Sequence, residues 1–103
     1  MAVFEIDTWR QVTKIPVGIY PHDIEVSPDG RFLLAACFGS GECLVIDTFR
    51  HEVIAKVRVG DGASHIAFDP GGTRGYVACS HANAVAVIDL AAQKMTGTMT
   101  PEP

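Results

Sequence analysis

The residues best suited to chemistry in this 103-residue chain are four histidines, His22, His51, His65 and His81. Neutral imidazole titrates near neutrality and is a frequent metal donor. No two of the four stand at HxH or HxxxH spacing, so no single element offers a ready chelate. Ser27, Ser40, Ser64 and Ser80 lie in or beside turn sequences without a GxSxG elbow, and a nucleophilic serine hydrolase is not indicated. Gly39-Ser40-Gly41 and Gly60-Asp61-Gly62 do not open helices, so they read as hairpin turns and not as phosphate cradles. Cys37, Cys43 and Cys79 are odd in number and lack CxxC spacing. They read as buried thiols that behave as small core hydrophobes. Cys37 and Cys43 flank a short FGSGE turn, which leaves open that they face each other across a hairpin.

Composition narrows the partners. Twelve acidic residues against eight basic ones give a net charge of -4, with Lys and Arg scattered singly. Nucleic acid is therefore excluded as an expected partner, because phosphate neutralisation needs a basic patch. With 48% hydrophobic residues, ten Gly and six Pro, the chain reads as one globular, β-rich domain. No run approaches the ~18 apolar residues of a membrane span. The opening MAVFEIDTWR has neither a basic start nor an apolar signal core.

The elements that must position the polar residues come from a repeat. Laid on itself at an offset of 42 from Val17 to Asp47, the sequence has ten identities in 31 positions. They include Ile24/Ile66, Pro28/Pro70, Gly30/Gly72, Cys37/Cys79 and Asp47/Asp89. A partial copy precedes them, Ile6-Asp7-Thr8 matching Ile46-Asp47-Thr48. A period in the low forties with strand-like content predicts four-stranded antiparallel β-propeller blades. The first blade is expected to contain strands His22–Val26, Phe32–Cys37, Cys43–Asp47 and Val53–Val59. The second is expected to contain Ile66–Phe68, Tyr76–Cys79, Val85–Asp89 and Lys94–Thr100. Ser27-Pro28-Asp29-Gly30 reads as a turn, with Pro presetting φ and Gly relieving the backbone. The fold class is all-β: residues 3–17 form half a blade, 18–59 and 60–100 a blade each, and 101–103 a tail.

The motifs Ile-Asp-Thr, Pro16-Val17-Gly18, Pro21-His22-Asp23-Ile24, Ser27-Pro28-Asp29-Gly30 and Tyr76-Val77-Ala78-Cys79 resemble the YVTN-type β-propeller repeat. Cys37 and Cys79 stand where that family usually has Asn. WD40 repeats are a poorer match, for want of Gly-His and Trp-Asp pairs. The resemblance implies a scaffold whose function sits in loops, similar to secreted or periplasmic surface proteins and to the haem d1 propeller of cytochrome cd1 nitrite reductases. Lactonase-like propellers are more distant relatives by this reading. It places no catalytic residue on this chain.

An up-and-down blade sends alternate connections to opposite ends of the disc. One face should collect Tyr20, His22, Asp23, Glu42, Asp61, His65, His81 and Asn83, which form the candidate binding face. His51 falls on the other face, with Trp9 and Phe49, for which packing beneath an adjacent turn is expected. No catalytic residue is assigned. His65 and His81 are the candidate metal ligands of the face, against the plainer reading of ordinary loop histidines. No cofactor is expected on the scaffold reading, and a haem or metal on a redox reading.

Two and a half blades leave sheet faces and edges open. The expected partners are therefore further blades of a larger propeller, of which this chain would be a fragment, or other copies in a self-assembling ring. The expected function is a non-catalytic scaffold binding a protein or small ligand, with a haem d1-like redox or lactonase-like propeller enzyme as the alternative.

Overall fold

The computed structural model describes residues 2–4, 11–14 and 21–99, with side chains from residue 22 onward. The copies of the Ile-Asp-Thr and Pro-Val-Gly motifs in residues 5–10 and 15–20, with Trp9 and Tyr20, lie outside the described residues. All regular structure among the described residues is β. No helix there is long and apolar enough to cross a membrane.

Strands β1 (Ala2–Phe4) and β2 (Gln11–Lys14) pair antiparallel as a two-stranded sheet. Strands β3 (Pro21–Val26), β4 (Phe32–Cys37), β5 (Glu42–Asp47) and β6 (Glu52–Arg58) form a four-stranded meander in chain order. Strands β7 (Ala63–Phe68), β8 (Arg74–Cys79), β9 (Ala84–Asp89) and β10 (Lys94–Met99) repeat it. The expected strands are all present, with shifted ends. β7 starts three residues before Ile66 because Ala63 pairs with Cys79 and His65 with Ala78, polarity notwithstanding. β6 stops before Val59 because the Val59 and Gly60 amides both donate to the Gly41 carbonyl, drawing the chain out of the ladder.

The turns follow the residues that build them. Gly30 donates its amide to the Ser27 carbonyl at 2.8 Å and sits at φ 75°, where a side chain would be strained. The buried Ser27 hydroxyl accepts from the Phe32 amide and donates to Asp29. Asp47 ties its own turn by accepting from the Phe49 and Arg50 amides, and Asp89 accepts from the Ala92 amide.

The two meanders share one register, Leu34 opposite Val45 as Tyr76 is opposite Val87, so equivalent residues of the two sheets point the same way. Phe32, Leu34, Ala36, Cys43 and Val45 of the first sheet therefore meet Ile66, Val77, Cys79, Ala86 and Ile88 of the second in one buried core. Ala35, Cys37, Leu44 and Ile46 form a smaller cluster on the opposite face of the first sheet. Gly75 makes room at the junction, since a Cβ there would lie 2.6 Å from Leu34 Cδ1. The repeat equivalents of Leu34, Ala36, Cys43 and Val45 are Tyr76, Ala78, Val85 and Val87, and these stay partly open on the far face of the second sheet.

One open alternative is closed and one expectation needs correction. Cys37 is opposite Glu42 and Cys43 opposite Ala36, one residue out of step, so the two thiols point to opposite faces and do not meet across the hairpin. All three cysteines are buried thiols, and burial pushes that of Cys43 up to about 12. Phe49 does not pack beneath a neighbouring turn: it is 83% exposed, because the turn is closed by Asp47 and by Thr48, which bonds back to Gly30 and Arg31.

Candidate functional site

The meander places the β4–β5 and β8–β9 turns and the β6–β7 connection at one end of the two sheets. These loops are knitted by backbone bonds: Gly41 to Val59 and Gly60 within the first blade, and Asp61 and Gly62 to His81, Ala82 and Ser80 across the junction. Gly62 adopts φ 77°, and a Cβ there would lie 2.7 Å from the His81 amide nitrogen, so only glycine lets the connection lie this close to the turn.

The first strands of the two blades are stapled by the Pro-His-Asp-Ile segment. Asp23 Oδ2 accepts from the Ile66 amide at 3.0 Å, while Oδ1 accepts from the Ile24 amide. His22 Nδ1 bonds the Ser64 carbonyl at 2.9 Å. At the equivalent positions the second blade carries Ser64 and His65, so it cannot offer the same carboxylate to whatever lies beyond it. Ser64 is buried and donates its hydroxyl to the Ala78 carbonyl at 3.2 Å, and His65 Nδ1 lies 3.3 Å from Ser64 Oγ.

The result is a row of four rings across the junction. His65 meets His22 edge-on with centroids 5.5 Å apart, His22 meets Phe38 at 5.9 Å, and Phe38 meets His81 edge-on at 4.9 Å. Beyond the Phe38 end an open cavity of about 620 Å³ is lined by Phe38, Gly39, Asp61, Gly62 and His81. Asp61 of this lining is paired with Arg58 at 2.6 Å, and Arg58 also donates to the Ser40 carbonyl. One apolar ring, Phe38, set among imidazoles and flanking polar groups suits a flat, partly polar ligand.

Of the expected face residues, His22, Asp23 and His65 gather at the junction, and Asp61 and His81 at the cavity. Glu42 and Asn83 share this end without joining the row, Asn83 holding the left-handed corner of its turn at φ 51°. Phe38 was not singled out by sequence, and Ser64 was named there only among the serines set aside as nucleophiles. Phe38 was read as the start of a hairpin loop, and its only sequence signal is that an aromatic there replaces the Ser80 of the second copy. Among the described residues, no three of His, Cys, Asp and Glu converge on one point as metal ligands.

At the other end of the sheets the carboxylates serve the turns. The Ser27 hydroxyl and the Arg31 amide hold Asp29 below the usual carboxylate range. The Arg50 and Phe49 amides do the same for Asp47, and the Arg74 amide with the Thr73 hydroxyl for Asp69.

Successive four-stranded meanders, packed face to face with their first strands adjoining, define a β-propeller. Residues 19–101 match the seven-bladed β-propeller lactonase family, to which the chain belongs. No curated protein matches the chain in sequence. Among solved structures it is similar to the hydrazine synthase of Kuenenia stuttgartiensis, with TM-score 0.90 and 30% identity over 98% of this chain and 29% of that one. Dihydro-haem d1 dehydrogenase NirN in complex with DHE has TM-score 0.81 and 17% identity over 95% and 22% of the two chains. AztD from Citrobacter koseri, in its apo form, has TM-score 0.74 and 24% identity over 95% and 27%. At these identities NirN and AztD speak for the fold alone. The chain spans less than a third of each of these structures.

Proposed function

We propose that this segment of propeller is a binding scaffold whose β4–β5, β6–β7 and β8–β9 connections take a small planar ligand or a partner's aromatic side chain. The observation that carries the reading is the row His65, His22, Phe38 and His81 with the cavity at its end. Such rings offer a π face and, at the imidazoles, polar edges to a planar group. Further blades of the same kind complete the scaffold, as the open Tyr76, Ala78, Val85 and Val87 face invites.

Indole and benzoate serve as probes in titrations followed by amide NMR. Shifts are expected at Phe38, Gly39, Gly62 and His81, and they should vanish in Phe38→Ala. Shifts confined to the Ser27–Gly30 and Asp69–Gly72 turns would remove the proposal.

The family description supports a second reading, hydrolysis of a lactone, with His81 beside the cavity as the base that activates water. Proton release from glucono-δ-lactone above the spontaneous rate, lost in His81→Ala, would favour it over plain binding.

A further inference from the structure

We propose that His22 and His65 together form a binding site for a divalent transition ion that prefers imidazole nitrogen, such as Zn2+ or Cu2+. The proposal rests on the loop face being the binding face, and it concerns the end of the ring row away from the cavity.

The hydrogen bonds decide which nitrogen of each ring is available. A carbonyl oxygen only accepts, so the bond from His22 to Ser64 O at 2.9 Å places the proton on His22 Nδ1. Its Nε2 then carries the free lone pair. Ser64 has a single hydroxyl proton, which goes to the Ala78 carbonyl at 3.2 Å. With the proton so placed, its oxygen accepts from His65 Nδ1 at 3.3 Å, and this assignment gives the second ring the same tautomer. One buried serine thus orients two imidazoles from adjacent blades, through its backbone and its side chain. A ligating histidine characteristically donates its other ring N–H to such an acceptor, which raises the basicity of the ligating nitrogen.

The spacing suits one ion. With metal–nitrogen bonds of about 2.0–2.1 Å, two imidazoles on a tetrahedral ion have ring centroids roughly 5 Å apart, and these stand at 5.5 Å in an edge arrangement. Both residues are exposed, so an ion has access and at least two coordination positions remain for water or an incoming donor. Asp23 is already held by the Ile24 and Ile66 amides and is not required as a ligand. His81 is not required as a ligand: its ring meets Phe38 edge-on with centroids 4.9 Å apart.

The test has two arms on the full chain. In metal-free protein at pH 8, long-range proton–nitrogen NMR should find Nε2 unprotonated in both His22 and His65. Finding the proton on Nε2 of either ring overturns the proposal. Titration with Zn2+, and with Cu2+ followed by electron paramagnetic resonance, should then perturb these two rings first. Affinity should fall at least tenfold in His65→Ala, while His51→Ala leaves it unchanged. Ser64→Ala keeps the backbone acceptor of His22 and removes only that of His65; it should weaken binding severalfold while the fold persists. Equal binding in wild type and His65→Ala would sink the site. Loss of metal binding with indole binding retained removes this inference alone, whereas failure of both removes the loop-face reading as well.

Discussion

The first blade, β3 to β6, and the second, β7 to β10, are near copies with different fates. Leu34 and its repeat equivalent Tyr76 occupy the same place on the same strand, yet Leu34 is fully buried and Tyr76 is partly open. β6 has Val57 buried, whereas all six residues of its counterpart β10 are exposed. What differs is the neighbour: the first blade has another blade against this face, and among the described residues the second does not. Burial in a repeat architecture is set by the adjoining unit as much as by the unit's own sequence. The inner strands differ as well, Asp23 stapling the junction that follows it where the second blade presents His65.

The sharpest break of this comparison is Leu34→Ala against Tyr76→Ala. In urea unfolding Leu34→Ala should cost about 2–5 kcal/mol, whereas Tyr76→Ala on the open face should cost about 1 kcal/mol or less. Equal losses would mean that the far face of the second blade is covered in solution. Next comes the staple. Asp23→Ala strips the Ile66 amide of its acceptor and should cost about 1–3 kcal/mol, against less than about 0.5 kcal/mol for His65→Ala.

The turns give a pH dependence common to both blades. Asp29, Asp47 and Asp69 have folded-state values lowered by hydrogen bonds to amides and hydroxyls. Lowered carboxylates add stability above their unfolded value near 3.9, and it is lost as pH falls through the folded value. Chain stability should therefore decline on acidification below about pH 4, and Asp29→Asn with Asp69→Asn should flatten that decline. The smallest effect is expected at Phe49→Ser, within about 0.5 kcal/mol of wild type, since the ring is almost wholly in solvent.

Much of the architecture was legible because a strand advertises itself locally. Pro28, Gly30, Pro70 and Gly72 mark turns, apolar alternation marks strands, and the offset of 42 sets one blade on the next. The face on which His22, Asp23, His65 and His81 were expected to gather follows from the same meander. Less legible were contacts that depend on angle rather than order. The one-residue stagger that separates Cys37 from Cys43 is a matter of register, which a five-residue turn does not advertise. Phe38 gave no sign of standing between two histidines from different segments.

The sequence by itself determined the blade, its strand order and its turns, because those depend on steric and hydrogen-bonding preferences within a few residues. The tertiary structure alone decided which copies of the repeat are buried, that Asp23 reaches the Ile66 amide, and that Ser64 holds two imidazoles at once. The contacts of His22 with Ser64 and of Asp23 with Ile66 join residues 42 and 43 positions apart, and only the packing angle between two sheets brings them within bonding distance.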